Sequence, residues 1–171
     1  LLIKAGTGTL IIPATNYANT YADGTDIKAG TLRLIGASGS SSGLGTNVIW
    51  LGGGTLQLRA DSDLSFGPGL GYTVTLTNNS TIDVGRIGTD GGTGKYLSIA
   101  TLNLDTNSLT VVGASNYVLL INSNISADTY ALNVGAVSTL SNAVLRFAGT
   151  TSGIVQFNGP INPFDSLSTN I

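Results

Sequence analysis

The chain has 171 residues, a length that fits one ordinary domain. It contains no Glu, Met, Cys or His, and Lys and Gln are scarce, so most of the strong helix formers are missing. Gly, Thr, Ser, Asn and aliphatic residues dominate instead, and this composition predicts an all-β protein. The absence of Cys excludes disulfides and thiol chemistry.

Charge is sparse, with seven Lys and Arg against nine Asp and a formal net charge of −2. The cations are scattered singly and form no basic stripe that could neutralise a row of phosphates, so we expect no nucleic-acid partner. The mean hydropathy is +0.30. The apolar residues nevertheless occur in short runs, and none reaches the roughly 18 consecutive apolar residues that a membrane-spanning helix needs.

A short motif repeats along the first part of the chain. The tripeptide Gly-Thr-Leu begins at Gly8, Gly30 and Gly54, at spacings of 22 and 24 residues. Degenerate copies occur at Ala100-Thr101-Leu102 and Ser138-Thr139-Leu140. A fixed period of this size indicates a repeat architecture.

Each clear copy leads into a predicted strand. In Thr9-Leu10-Ile11-Ile12, Thr31-Leu32-Arg33-Leu34 and Thr55-Leu56-Gln57-Leu58, leucines or isoleucines two residues apart share one face, which we assign to the core. Turn-forming residues follow the strands, as in Ala60-Asp61-Ser62-Asp63. Each period therefore holds two or three short strands and their corners.

These features predict a right-handed parallel β-helix, also called a β-solenoid, with about seven coils of roughly 23 residues. We interpret residues 1–171 as a single solenoid segment of a longer chain. Residues 1–67 carry clear repeats, and residues 68–171 form degenerate coils. A solenoid exposes unpaired backbone at its ends, so we expect either that the chain continues on both sides or that copies stack end to end.

Few residues suggest catalytic or metal-binding chemistry. Without His and Cys, imidazole catalysis and the usual zinc sites are excluded. Asp61 and Asp63 form the best carboxylate pair for a sugar-cleaving site, and with Asp90 they are the candidates for calcium, but neither place matches an EF-hand. Residues 88–95 resemble a phosphate-binding loop, but Thr89 replaces its first glycine and Tyr96 its Ser or Thr. We therefore predict no catalytic, cofactor-binding or metal-binding residue.

Two further patterns suggest binding surfaces. Thr73-Val74-Thr75-Leu76-Thr77 places three threonines on one face, an array that neighbouring coils would have to repeat to resemble an ice-binding surface. No copy follows one repeat period later. Trp50 and the six Tyr could stack on sugars, although aromatic residues also fill solenoid lumens. Clustering of Trp50, tyrosines and Asp in one groove would favour sugar binding, and scattering would favour a structural role.

The repeat resembles a known family. Lys4-Ala5-Gly6-Thr7-Gly8-Thr9-Leu10, followed by Asn19-Thr20-Tyr21 and Ile27-Lys28-Ala29-Gly30-Thr31-Leu32, is similar to the autotransporter-associated β-strand repeat, also called the passenger-associated transport repeat. Asp23 stands where the family has one glycine of a Gly-Gly pair. The similarity continues from Leu44 to Leu58, and beyond about residue 67 it is one of composition only. It implies a β-helical passenger or surface protein of a bacterium, with no catalytic residues to transfer.

The expected function is therefore a structural repeat segment of a bacterial cell-surface or secreted fibre, stalk or adhesin, with end-to-end self-assembly as one way to build it. The expected partners are neighbouring repeats or other copies of the same chain, with surface glycans as a further candidate, and the expected location is extracellular or associated with the outer membrane. The alternative is a carbohydrate-binding or carbohydrate-cleaving β-helix. Neither hypothesis requires a cofactor.

Overall fold

The computed structural model describes side chains and backbone up to residue 122, and the backbone of six short strands after it. The described residues before that point are 1–13, 19, 22–37, 43–45, 48–69, 71–88, 93–104, 107, 109–113 and 116–122. All described regular structure is β-strand, and the strands pair in three sheets. No described helix is long and apolar enough to cross a membrane.

The strands of each sheet come from successive turns of the chain. The first sheet contains β1 (Leu2–Lys4), β3 (Thr25–Ile27), β5 (Ile49–Leu51), β8 (Thr73–Leu76), β11 (Thr101–Asn103), β14 (Ile125–Ser126) and β17 (Thr151–Ser152). The second sheet contains β2 (Thr9–Ile12), β4 (Thr31–Ile35), β6 (Thr55–Arg59), β9 (Ser80–Gly85), β12 (Leu109–Gly113), β15 (Leu132–Val134) and β18 (Val155–Phe157). The third sheet contains β7 (Leu64–Ser65), β10 (Tyr96–Ile99), β13 (Tyr117–Ile121), β16 (Ala143–Phe147) and β19 (Ser168–Thr169).

All of the described strand pairs are parallel, and each strand pairs with its counterparts in the preceding and following coils. From β5 onwards, each coil passes through the first, second and third sheets in turn. This arrangement is a parallel β-solenoid, so the fold class predicted from the sequence is confirmed. The right-handed sense remains a prediction, and it is the sense that parallel crossovers almost always take.

The coils differ in length, and the longest lie in the middle of the solenoid. In the second sheet Leu10 pairs with Leu32, Leu32 with Leu56, Leu56 with Ile82, and Ile82 with Val111, so the sequence separation of paired residues grows over these four steps. It falls again afterwards, because Leu109 pairs with Val134 and Leu132 with Val155. The third sheet begins only with β7, and the described residues of the first two coils contribute no strand to it. No constant coil length therefore describes the solenoid.

The lumen is filled by the inward residues of all three sheets. In the second sheet alternate residues are buried, so that Leu32 and Leu34 stack on Leu56 and Leu58 of the next coil. The large aromatic residues of the described core, Phe66, Tyr72 and Tyr117, all follow the start of β7. Bulky side chains thus fill the lumen in the coils that carry a described strand of the third sheet.

The structure corrects one assignment made from the motif. The sequence Ala100-Thr101-Leu102 was predicted to be a degenerate copy of Gly-Thr-Leu, but its residues lie in the first sheet, where Thr101 pairs with Thr73. The structural successors of the motif are Thr81-Ile82 and Thr110-Val111 in the second sheet. The prediction failed because the coils from Thr55 to Thr81 and from Thr81 to Thr110 are longer than the assumed period, so that a constant period points to the wrong sheet. Residues 138–140 lie outside the described part of the chain.

Candidate functional site

The outward face of the second sheet carries a ladder of threonines. The threonine of each Gly-Thr-Leu motif and its successors occupy equivalent positions in consecutive coils: Thr9, Thr31, Thr55, Thr81 and Thr110. Stacked coils lie about 4.8 Å apart, so the hydroxyl groups form a single file along the solenoid. The Gly-Thr-Leu motif identified Thr9, Thr31 and Thr55 in the sequence. Thr81 and Thr110 have no glycine before them and no leucine after them, so the sequence analysis did not find them.

A second, charged ladder lies beside the threonines. Arg33 Nε donates to Gln57 Oε1 over 2.8 Å, and Gln57 Nε2 donates to Asp83 Oδ2 over 2.8 Å. Arg59 Nη2 contacts the same carboxylate oxygen at 2.6 Å, and its Nη1 donates to the backbone oxygen of Asp83. One amide and three charged side chains therefore link three coils. Such an outward network stabilises the stacking of the coils, with Gln57 and Arg59 both bound to Oδ2 of Asp83.

The outward face of the first sheet carries the only tryptophan of the chain. Trp50 in β5 is half-buried and pairs with Asp26 of the preceding coil and with Thr75 of the following coil. Asn103 continues the file and donates to the Thr75 hydroxyl over 3.1 Å. Asp26 faces Lys28, with 3.8 Å between carboxylate oxygen and ammonium nitrogen. An aromatic ring is thus followed along the solenoid by neutral hydrogen-bonding groups.

The indole ring of Trp50 lies against Gly24. A Cβ atom on Gly24 would lie 2.6 Å from Cζ3 and 3.1 Å from Cη2 of the ring, and the φ angle of Gly24 is +84°. Only glycine allows both this backbone conformation and this close approach. The ring is therefore held in place by the corner of the preceding coil.

The two carboxylates that were considered as a catalytic or calcium-binding pair both accept hydrogen bonds from backbone amides. Asp61 Oδ1 accepts a hydrogen bond from the Ile87 amide at 3.0 Å, and Asp63 Oδ1 accepts one from the Tyr96 amide at 2.9 Å. Each carboxylate ties its corner to the next coil. No group of three or more acidic, His or Cys residues that could hold a metal occurs among the described residues. Asp90 lies outside the described residues, as does the rest of 89–92, the central part of the loop 88–95.

The aromatic residues do not gather in one groove of the described structure. Tyr72 and Tyr117 are buried in the lumen, and their hydroxyls donate to the backbone oxygens of Leu44 and Ala60. Tyr96 is 37% exposed on the third sheet, away from Trp50 on the first. The scattering of the described aromatic residues therefore argues against a sugar-binding groove lined by several of them, and it favours a structural role.

The ionisation of Tyr117 is shifted by its surroundings. Burial is the first cause that raises the pKa of Tyr117, followed by the nearby charge of Asp61. Asp63 raises the pKa further, and the opposing charge of Arg86 lowers it. The phenol therefore stays protonated and keeps its hydrogen bond inside the lumen.

The threonine-rich strand does not extend into an array. Val74 and Leu76 point inward and Thr73 and Thr75 outward, as predicted. Thr73 pairs with Thr101, but Thr75 lies between Trp50 and Asn103. A regular hydroxyl surface of the ice-binding kind is therefore limited to one pair of threonines here.

The residues that mark the repeat have structural roles at the corners. Lys4 points into the first coil and its ammonium donates to the backbone oxygens of Ala5, Gly6 and Ala29 at 3.1, 2.7 and 3.0 Å. Gly30 packs against this corner with a φ angle of +67°. The side-chain amide of Asn19 donates to the backbone oxygen of Gly43, one coil later.

A comparison with protein families agrees with this geometry. Residues 2–34 match the model of the passenger-associated-transport-repeat family. The match spans β1 to β4, which are the first two coils and the corners formed by Lys4, Asn19 and Gly30. The resemblance seen in the sequence is thereby confirmed, and such a repeat points to a secreted or surface protein in which the solenoid has a structural role. No curated protein and no solved structure matches the chain.

Proposed function

We propose that this chain is a rigid rod segment of a bacterial cell-surface or secreted protein, acting as a stalk or spacer. The observation that carries the proposal is the continuous lumen, in which fully buried aliphatic residues from Ile27 to Leu119 stack between parallel sheets. Each coil is hydrogen-bonded to the coils before and after it, so bending the rod requires breaking ladders on several faces at once.

The surface polar groups support the same role. The ladder from Arg33 through Gln57 to Asp83, and the corner carboxylates Asp61 and Asp63, all bond to neighbouring coils. They add cross-links between coils rather than an arrangement of free acids and bases. A carbohydrate-cleaving role would need several such groups converging on one groove.

The repeat at residues 2–34 supports a location outside the cytoplasm, and we extend this to association with the outer membrane. The partners we propose are neighbouring repeats and further copies of the same chain, stacked through their strand edges, as unpaired backbone favours. An adhesive function would be added to the rod by its outward faces.

The test combines electron microscopy of the natural protein with protease treatment of intact cells. Narrow rods, and loss of the protein from protease-treated cells, are the expected results. Compact particles, or full protection in intact cells that ends on lysis, would contradict the proposal. Rods that lengthen with protein concentration would support stacking of copies, and rods of constant length would refute stacking without affecting the spacer role.

A further inference from the structure

We propose that the outward face of the first sheet binds a linear, uncharged polysaccharide, with Trp50 as the stacking platform. The inference goes beyond the structural role, because a rod needs no tryptophan on the outward face of a sheet. The sequence holds one tryptophan in 171 residues, and it lies outside the lumen, half-buried on a sheet face where its neighbours are small or polar.

The orientation of the Trp50 ring is fixed by its contact with Gly24. Gly24 receives the edge of the indole where any side chain would collide with it, so the orientation of the ring is set before a ligand arrives. A fixed aromatic surface loses little conformational entropy on binding. The apolar face of a sugar ring, with its C–H groups, suits an aromatic platform that is apolar on its face and polar at its edge.

The neighbours of Trp50 define the ligand as linear and rich in hydroxyl groups. Thr75 and Asn103 follow the ring along the axis of the solenoid, one in each coil, at the inter-coil spacing of about 4.8 Å. Both side chains can donate and accept hydrogen bonds. A chain of sugars lying along the axis would meet a polar group at every coil, whereas a compact ligand would meet only one or two.

The charges define the ligand as neutral. On this face Asp26 lies beside Lys28, and their opposite charges offset each other. The described first sheet offers no cluster of cations that would select an acidic polymer. A neutral glycan requires no charge compensation, and its hydroxyl groups match the amide and hydroxyl side chains.

The experiment is a titration of the full chain with soluble linear hexasaccharides of glucose, N-acetylglucosamine and mannose, and with polygalacturonate as an acidic probe. Because Trp50 is the only tryptophan, its fluorescence reports occupancy of this face directly, and calorimetry measures affinity in the variants. We expect at least one neutral oligosaccharide to shift the Trp50 emission. Trp50→Ala should weaken its binding by about tenfold or more, and Trp50→Phe by less, because a ring remains.

Two matched variants test the direction of the ligand. Thr75→Val removes a hydroxyl beside the platform, whereas Thr110→Val removes an equivalent outward hydroxyl from the second sheet. Only the first should weaken binding, with circular dichroism confirming that both variants fold. The proposal is overturned if no neutral oligosaccharide shifts the emission, if polygalacturonate alone binds, or if Trp50→Ala binds as the parent chain does. None of these results would affect the rod proposal, which rests on electron microscopy.

Discussion

The hydroxyl group of Tyr117 donates a hydrogen bond of 2.8 Å to the backbone oxygen of Ala60, 57 residues earlier in the chain. The bond joins a strand of the third sheet to a corner two coils before it, inside the lumen. Tyr72 makes a bond of the same kind to Leu44 over 2.7 Å. These tyrosines connect coils through the core, in addition to the strand ladders on its surface.

Removing the Tyr117 hydroxyl should destabilise the solenoid. We expect Tyr117→Phe to lower the free energy of unfolding by about 1–3 kcal/mol, because a buried carbonyl loses its donor while the ring still fills the lumen. Chemical denaturation monitored by circular dichroism measures the change. Tyr96→Phe serves as the control, since that side chain is partly exposed on the third sheet. Equal effects of the two substitutions would argue against the buried bond as the cause.

Stability should also fall at alkaline pH through Tyr117. Burial and the charges of Asp61 and Asp63 raise its pKa above the ordinary value of 10.0. The folded state therefore keeps the phenolic proton at pH values where the unfolded chain loses it. The contribution is fully present below pH 10 and is lost as the pH rises through the folded pKa. Unfolding measured from pH 8 to 11 should show a steeper loss for the parent chain than for Tyr117→Phe, and parallel curves would contradict this assignment.

The charged ladder of the second sheet should contribute more to the free energy of unfolding than an exposed ion pair does. Arg59 and Asp83 have side chains 15% and 20% exposed, and Asp83 also binds Gln57. We expect Asp83→Ala to lower the free energy of unfolding by about 2 kcal/mol, because the largely buried Arg59 loses its carboxylate partner and keeps only bonds to backbone oxygens. The comparison is Asp26→Ala, whose partner Lys28 is 59% exposed, with an expected cost below about 0.5 kcal/mol. A larger cost for Asp26→Ala than for Asp83→Ala would be the contrary result.

Gly6 and Gly8 in the first coil and Gly30 in the second should respond differently to substitution by alanine. A Cβ on Gly30 would collide with the backbone oxygen of Gly6 and lie 2.7 Å from Lys4 Nζ, at a φ of +67°, so Gly30→Ala should cost about 3 kcal/mol or more. Gly6 has free space but a φ of +76°, which predicts a cost of about 1 kcal/mol. Gly8 has free space and an ordinary φ, so Gly8→Ala should change stability by less than about 0.5 kcal/mol. Thermal unfolding of the three variants tests this order.

Much of the fold could be predicted because its signal is local. The leucines of Thr31-Leu32-Arg33-Leu34 and Thr55-Leu56-Gln57-Leu58 showed the alternation of a half-buried strand, and their regular recurrence predicted the parallel pairing that the structure has. The assignment of Thr101 failed because similar sequences occur on two sheets of a solenoid, and coil length decides which sheet a segment joins.

The candidate site was less predictable, since the neighbours of each outward residue depend on the register in which strands of successive coils pair. Trp50 was recognised as an unusual residue, but nothing in the sequence shows that Asp26 and Thr75 are its neighbours in the preceding and following coils. The contact between Gly24 and the Trp50 ring could not be predicted either, because a glycine before a strand can have many structural roles. The sequence presented Asp61 and Asp63 as a pair of carboxylates, but in the structure each accepts a hydrogen bond from a backbone amide of the next coil.

The unequal lengths of the coils would be visible when the rod is stretched. If a rod is pulled from its ends and peels one coil at a time, each release frees an extended length of about 3.4 Å per residue. The shortest coils would then yield steps of about 75 Å and the longest a step of about 100 Å. Under tension, the largest step would mark the moment when unravelling reaches the coil between β9 and β12.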